Sequence, residues 1–170
     1  MNNKICRFLQ KSFLIVIAAI VFTGCNGSFL SYKGATITHQ NHMIKLQEGD
    51  QQGIWKTNEL SLKYHYQITP ETLKISGDVN LAGGFLHGFS TIDRLVVQLL
   101  FLNNQGTVID NVILYSAENH RPIDLTPMSF DKTIPISQET QAISFTYDGV
   151  LFDGGGSDDS TSVNIWNFPL

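Results

Sequence analysis

Polar and apolar residues alternate strictly across positions 59–68. Leu60, Leu62, Tyr64, Tyr66 and Ile68 share one parity, and Ser61, Lys63, His65 and Gln67 the other. Successive side chains of a strand point to opposite faces, so a period of two marks a strand with one face in a core and one in water. Thr69-Pro70-Glu71-Thr72 interrupts the pattern as a turn, with proline fixing φ at its second position. The alternation then resumes, with Leu73, Ile75, Val79 and Leu81 inward and Lys74, Ser76, Asp78 and Asn80 outward. The segment reads as a β-hairpin.

Residues 82–90 break the pattern with Gly83, Gly84 and Gly88 and predict a loop. Residues 95–102 (LVVQLLFL) are apolar on both parities, which suits a central strand, and their length and β-branched and aromatic content favour a strand over a helix. Asn103-Asn104-Gln105-Gly106 predicts a hairpin turn, Gly106 being able to take a positive φ. A strand returns over 108–115, followed by a polar loop over 116–127 with two prolines. Residues 130–136 predict an edge strand because Pro135 cannot donate to a ladder. Alternation through Ile143, Phe145 and Tyr147 predicts a strand over 142–152, and 162–168 a last one, with a glycine- and acid-rich loop over 153–160 between them. Weaker candidates lie at 35–39 and 43–46. No stretch beyond the N-terminus sustains a 3.6-residue period. Seven to nine short strands at this spacing predict an all-β fold, an antiparallel β-sandwich or small barrel, as a single domain over 35–170.

The N-terminus is different in kind. Lys4, Arg7 and Lys11 precede an unbroken apolar run, FLIVIAAIVF, over 13–22. A spanning helix needs about 20 apolar residues; this run has instead the length of a signal-peptide core behind a basic segment. Val21-Phe22-Thr23-Gly24-Cys25 follows directly. Small residues before a cysteine at this place resemble the lipobox of bacterial lipoproteins, with Phe22 standing where leucine is usual. The resemblance covers residues 1–25. It implies removal of residues 1–24, a diacylglyceryl group on the Cys25 sulfur and acylation of the new amino group; the residues that follow, with flexible Asn26-Gly27-Ser28, read as a short linker over 25–34. Asn26, in place of the aspartate that favours inner-membrane retention, implies an outer membrane location facing the periplasm in a two-membrane cell. An ordinary cleaved signal, an uncleaved anchor and a buried helix are the alternatives.

A second resemblance rests on Ile75-Ser76-Gly77-Asp78-Val79-Asn80, the run from Leu95 to Phe101, and Asn104-Gln105-Gly106-Thr107-Val108-Ile109. Together these look similar to small immunoglobulin-like accessory sandwiches of exported proteins, such as FxLYD-type and late-embryogenesis-abundant-like domains. The FxLYD tetrapeptide itself is absent. The resemblance implies an immunoglobulin-like sandwich without enzymatic activity and assigns no residue roles.

Charge and cysteine usage narrow the partners. Lys4, Arg7 and Lys11 fall before the cut and no acid does, so the formal charge of −4 becomes −7 for the mature chain. That balance argues against nucleic acid, which needs a basic footprint. The cysteines are Cys6 and Cys25; one leaves with the signal and the other carries lipid. The domain therefore predicts no disulfide, no thiol chemistry and no cysteine zinc site. Neither Gly-x-Ser-x-Gly nor His-Glu-x-x-His occurs, and no cofactor is implied.

Two loops carry candidate sites. Phe85, Leu86, His87 and Phe89 sit among glycines, either as a contact that docks an envelope protein partner or dips into a bilayer, or folded back as a plug for the sandwich end. Asp148, Asp153, Asp158 and Asp159 surround a glycine run and offer hard oxygen ligands for calcium, although the spacing fits no EF-hand; a solvated connection is the plainer reading. His39 and His42 are three apart, awkward for joint metal ligation on a strand. Trp55 and Trp166, with Tyr64 and Tyr66, form either a stacking face for sugars or part of the core. These readings rank a lipid-anchored structural or binding domain first. An envelope enzyme acting on glycan or peptide comes second, and a carrier of a small apolar ligand third.

Overall fold

The computed structural model describes residues 31–124, 127–153 and 161–168. Among these, nine strands form two antiparallel sheets packed face to face, an all-β sandwich. In chain order they are β1 (Ile44–Lys45), β2 (Gly49–Lys56), β3 (Leu60–Ile68), β4 (Thr72–Leu81), β5 (Thr91–Leu102), β6 (Val108–Pro122), β7 (Ser129–Pro135), β8 (Ala142–Phe152) and β9 (Ser162–Asn167). A helix α1 (Gly83–Gly88) and a 3-10 turn (Gln40–His42) complete the set. One sheet has the order β2-β3-β4-β7. The other runs β1-β8-β5-β6, with β9 sharing the outer edge of β8 beside β1.

The predicted hairpin is β3–β4. Its turn is closed by Thr69 N–H donating to the Thr72 carbonyl at 2.8 Å and by Thr72 N–H donating to Thr69 Oγ1 at 3.1 Å. Leu62, Leu73 and Ile75 are wholly buried, facing Leu95, Val97, Leu99 and Phe145 of the other sheet. A cross-strand row runs Gly53, Tyr64, Gly77, Phe130. A Cβ on Gly53 would collide with the Tyr64 phenol. One on Gly77 would collide with the Lys63 carbonyl and stand 2.9 Å from the Phe130 ring. The glycines clear space for two aromatic rings on the inner face.

The run over 95–102 lies in β5, paired on both sides by β6 and β8. It is apolar on both parities because both faces are covered. Ile92, Leu95, Val97, Leu99 and Phe101 enter the inter-sheet core. Leu100 and Leu102 point outward into a second, smaller core with Ile37, Val108 and Ala142, against which Tyr32, Ala35, Met43 and Phe168 pack. The segment from Tyr32 to Met43 thus lies across the outer face of this sheet. Gly34 N–H donates to the Val108 carbonyl at 2.8 Å and Ile37 N–H to the Gly106 carbonyl at 2.9 Å. Gln98 and Ser144 under this cover are paired, with Asn111 Nδ2 donating to Gln98 Oε1 at 2.6 Å and Ser144 Oγ to the His42 carbonyl at 2.8 Å.

The β5–β6 turn is as expected. Gly106 takes φ 78°, and Asn103 Oδ1 accepts from the Gln105 and Thr107 amides at 2.9 and 3.0 Å. Four elements differ from expectation. The first seven residues of the predicted polar loop, 116–122, extend β6 to Pro122. A bulge accommodates them: Asn119 and His120, at φ 70° and 50°, both face the single residue Asp93 between the pairs Arg94↔Glu118 and Ile92↔Arg121. The glycine-rich segment forms helix α1 rather than an irregular loop. Segment 35–39 makes only an isolated bridge, Thr36 to Thr107. Strand β2 has no alternation to announce it, since Trp55 is its one buried residue. The edge position of 130–136 holds: β7 pairs only β4 and ends at Pro135. Its inward-parity Lys132 stays exposed, a charge that discourages further pairing.

Candidate binding site

A polar cleft of about 510 Å³ opens where the β2–β3 turn meets the end of β9, lined by His42, Lys56, Thr57, Asn58, Glu59, Trp166 and Asn167. Each wall has a local cause. The turn follows the last β2–β3 pair, Lys56 with Ser61. Thr57 Oγ1 organises it by accepting from the Glu59 and Leu60 amides at 3.3 and 3.2 Å, while Thr57 N–H donates to the Leu60 carbonyl at 2.9 Å. The Glu59 carbonyl accepts from Ala82 N–H at 2.7 Å, which ties the turn to the end of β4. On the opposite wall, register sets Asn167 across from Tyr147 and Trp166 across from Asp148.

Beneath the cleft lies Tyr147, 1 % exposed. Its hydroxyl donates to Glu59 Oε2 at 2.6 Å and lies 2.8 Å from Thr57 Oγ1. Burial first, and then the hydrogen bond to Glu59, pushes the phenol well above its ordinary value. Tyr147 is therefore a fixed proton donor that joins β8 of one sheet to the β2–β3 turn of the other. Its chemistry is that of a latch rather than a base. Trp55 packs beside it, 6.2 Å from Tyr147 and 5.7 Å from Phe145, with the His42 ring edge-on at 6.1 Å. Trp55 Nε1 and Asn167 Oδ1 are buried and have no hydrogen-bond partner among the described residues. Trp166, by contrast, is 66 % exposed.

The residues singled out in the sequence are dispersed. Phe85 and Phe89 stack at 6.2 Å and pack against the inter-sheet core, while Leu86 and His87 of α1 face solvent. That segment divides between plug and exposed surface. Asp148 is ion-paired with Arg94, and Asp153 accepts from Thr161 Oγ1 at 2.7 Å. The two acids are five residues apart, roughly 16 Å along an extended chain. Asp158, Asp159 and the glycine run between them and Asp153 lie outside the described residues, as does Cys25. Among the described residues no three acids, histidines or cysteines gather to hold a metal, and no helix is long and apolar enough to cross a membrane. His39 and His42 stand 6.2 Å apart, edge to face. Of the aromatics considered for a stacking face, Trp55 and Tyr66 are buried, Tyr64 packs against the core, and Trp166 is open.

Sequence reasoning did not assemble the Thr57–Glu59–Tyr147 cluster. One signal pointed to it: a tyrosine on inward parity brings a hydroxyl into the core, and that hydroxyl needs a partner. The partner is 88 positions away in the chain.

A second feature is a broad groove of about 740 Å³ on the outer face of the four-stranded sheet. Gln52, Ile54, Lys63, His65, Ser76 and Asp78 line it. Here His65 pairs with Asp50, and Lys63 stands across from Asp78. No protein-family model matches the chain, and neither does any curated protein or solved structure.

Proposed function

We propose that this chain is a lipid-anchored lipoprotein of the cell envelope whose β-sandwich serves as a non-catalytic binding or structural domain. The single observation that carries the reading is the N-terminal succession of basic segment, ten-residue apolar run and Thr23-Gly24-Cys25, which is what export, cleavage and thiol lipidation require. In it, Cys25 becomes the first residue, its sulfur carries lipid, and the domain faces the periplasm from the outer membrane of a two-membrane cell. One acyl chain binds only marginally, whereas two or more hold a protein stably.

The packing supports surface recognition over carriage of an apolar ligand. The space between the sheets is filled by Leu62, Leu73, Ile75, Leu95, Leu99 and Phe145, all at 0 % exposure. The pattern-level resemblance to non-enzymatic exported sandwiches leans the same way. An envelope protein partner would meet the exposed Leu86 and His87 of α1 or the polar cleft.

The test is metabolic labelling of cells with a fatty-acid probe, comparing the native chain with Cys25→Ser. The expected result is label and membrane association for the native chain and loss of both in the variant. Intact mass showing residues 1–24 still attached, or a free thiol at Cys25, overturns the reading.

A further inference from the structure

We infer that Trp166 is an interfacial anchor, which lays the β9 side of the five-stranded sheet against the zwitterionic headgroup layer of the bilayer that holds Cys25. The inference rests on the lipid attachment proposed above. It starts from an exposed side chain without an internal explanation. Among the described residues the large apolar side chains most open to water are Ile54, Leu86 and Trp166, at 66 %, 39 % and 66 %. Leu86 belongs to helix α1, and Ile54 projects from the outer face of the opposite sheet. An indole has an apolar body and one N–H donor, which is why tryptophan concentrates at membrane–water boundaries.

The chain path limits how far this indole can stand from the lipid. Ile165 is buried in the inter-sheet core, so the next residue on β9 projects to the outer face. Phe168, two positions on with the same parity, stacks on Tyr32 with centroids 4.6 Å apart and planes 9° from parallel. Tyr32 follows Cys25 by seven residues. Seven extended residues reach no more than about 25 Å, and two steps along a strand add about 7 Å. With the two stacked side chains between them, the tether holds Trp166 within about 45–50 Å of the lipidated sulfur, so even a weak contact is made repeatedly.

Charge selects the surface. The mature chain is acidic overall, which disfavours anionic lipid. Locally the balance is even. Asp148, the cross-strand neighbour of Trp166, is paired with Arg94, and the adjoining cleft offers Lys56 and Glu59 together. A surface of mixed sign meets a headgroup that carries both a phosphate and an ammonium. The consequence is orientation: the outer face of the five-stranded sheet turns toward the membrane and the grooved face of the other sheet turns away from it.

The experiment uses the lipidated chain in phosphatidylcholine vesicles, a fraction of whose lipids carry bromine high on the acyl chain. Trp166→Phe leaves only Trp55, which is 5 % exposed. Subtracting its emission from that of the native chain isolates Trp166. The expected result is a blue-shifted Trp166 emission with at least about half of it quenched by the brominated lipid, and shielding from iodide relative to soluble Cys25→Ser protein. Water-like emission and unchanged iodide quenching in a chain whose mass shows the lipid overturn the inference and leave the anchor standing. A chain that carries no lipid overturns both.

Discussion

The two outer faces of this sandwich are opposites. The face of β2-β3-β4-β7 meets water directly, and its strands show it: Lys63, His65, Lys74 and Asp78 alternate with buried Leu62, Leu73 and Val79. The face of β1-β8-β5-β6 is partly roofed by the segment from Tyr32 to Met43 and by Phe168. Its central strand β5 has Leu99 at 0 % exposure on the inner side and Leu100 at 0 % on the outer side. Two strands of one domain therefore carry different sequence periods for one reason: a side chain is apolar where something covers it. A continuous apolar run in an antiparallel sheet is a sign that the chain elsewhere supplies a lid.

The strongest way to break this comparison is Leu100→Ala beside Leu99→Ala. If the roofed outer face is a true core, each costs about 2–5 kcal/mol in urea unfolding. A loss for Leu100→Ala no larger than that of a surface substitution removes the lid from the account. Gly77→Ala comes next. The added methyl meets the Lys63 carbonyl and the Phe130 ring, and overpacking of this kind costs about 1–3 kcal/mol.

Tyr147→Phe tests the latch between the sheets. It removes the donor to Glu59 and costs about 1–2 kcal/mol, since Glu59 is half-buried and recovers part of the loss by hydration. The pH dependence sharpens it. The folded phenol titrates above its ordinary value of 10.0, so above pH 10.0 the unfolded chain binds fewer protons than the folded one. Stability from this group is complete below that pH and is lost as pH rises toward the folded value. Tyr64 and Tyr115 are shifted in the same direction by burial. Tyr147→Phe should therefore make the alkaline decline shallower without abolishing it, as read from urea midpoints across that range.

Two smaller effects complete the series. A double-mutant cycle on Tyr32 and Phe168 should give a coupling of about 0.5–1.5 kcal/mol, since their stacked rings hold the roofing segment at one side. His65→Ala on the open face should change stability by less than about 0.5 kcal/mol, because its pairing with Asp50 is between exposed side chains.

Legibility followed locality. The β3–β4 hairpin, the Gly106 turn and the central place of 95–102 each rest on signals within a dozen residues, and each is where the sequence put it. Strand β2 was hidden because Gly49, Gln52 and Gly53 give it no period, and only the Trp55 side chain is buried. The extension of β6 was hidden because Glu118, Asn119, His120 and Arg121 read as a loop, yet they lie along a sheet edge through a bulge. The polar cleft depends on a glutamate and a tyrosine far apart in the chain, and no local pattern joins them.

The amino-acid sequence by itself determined the class of fold, the faces of its best-alternating strands and the basic-then-apolar composition of the N-terminus, because a strand's burial pattern and a segment's composition are properties of short stretches. The tertiary structure decided which sheet each strand joined, that residues before β1 would cover an outer face, and that Tyr147 would reach Glu59. Those outcomes depend on which distant surfaces exclude water from one another, a quantity that exists only once the two sheets have packed.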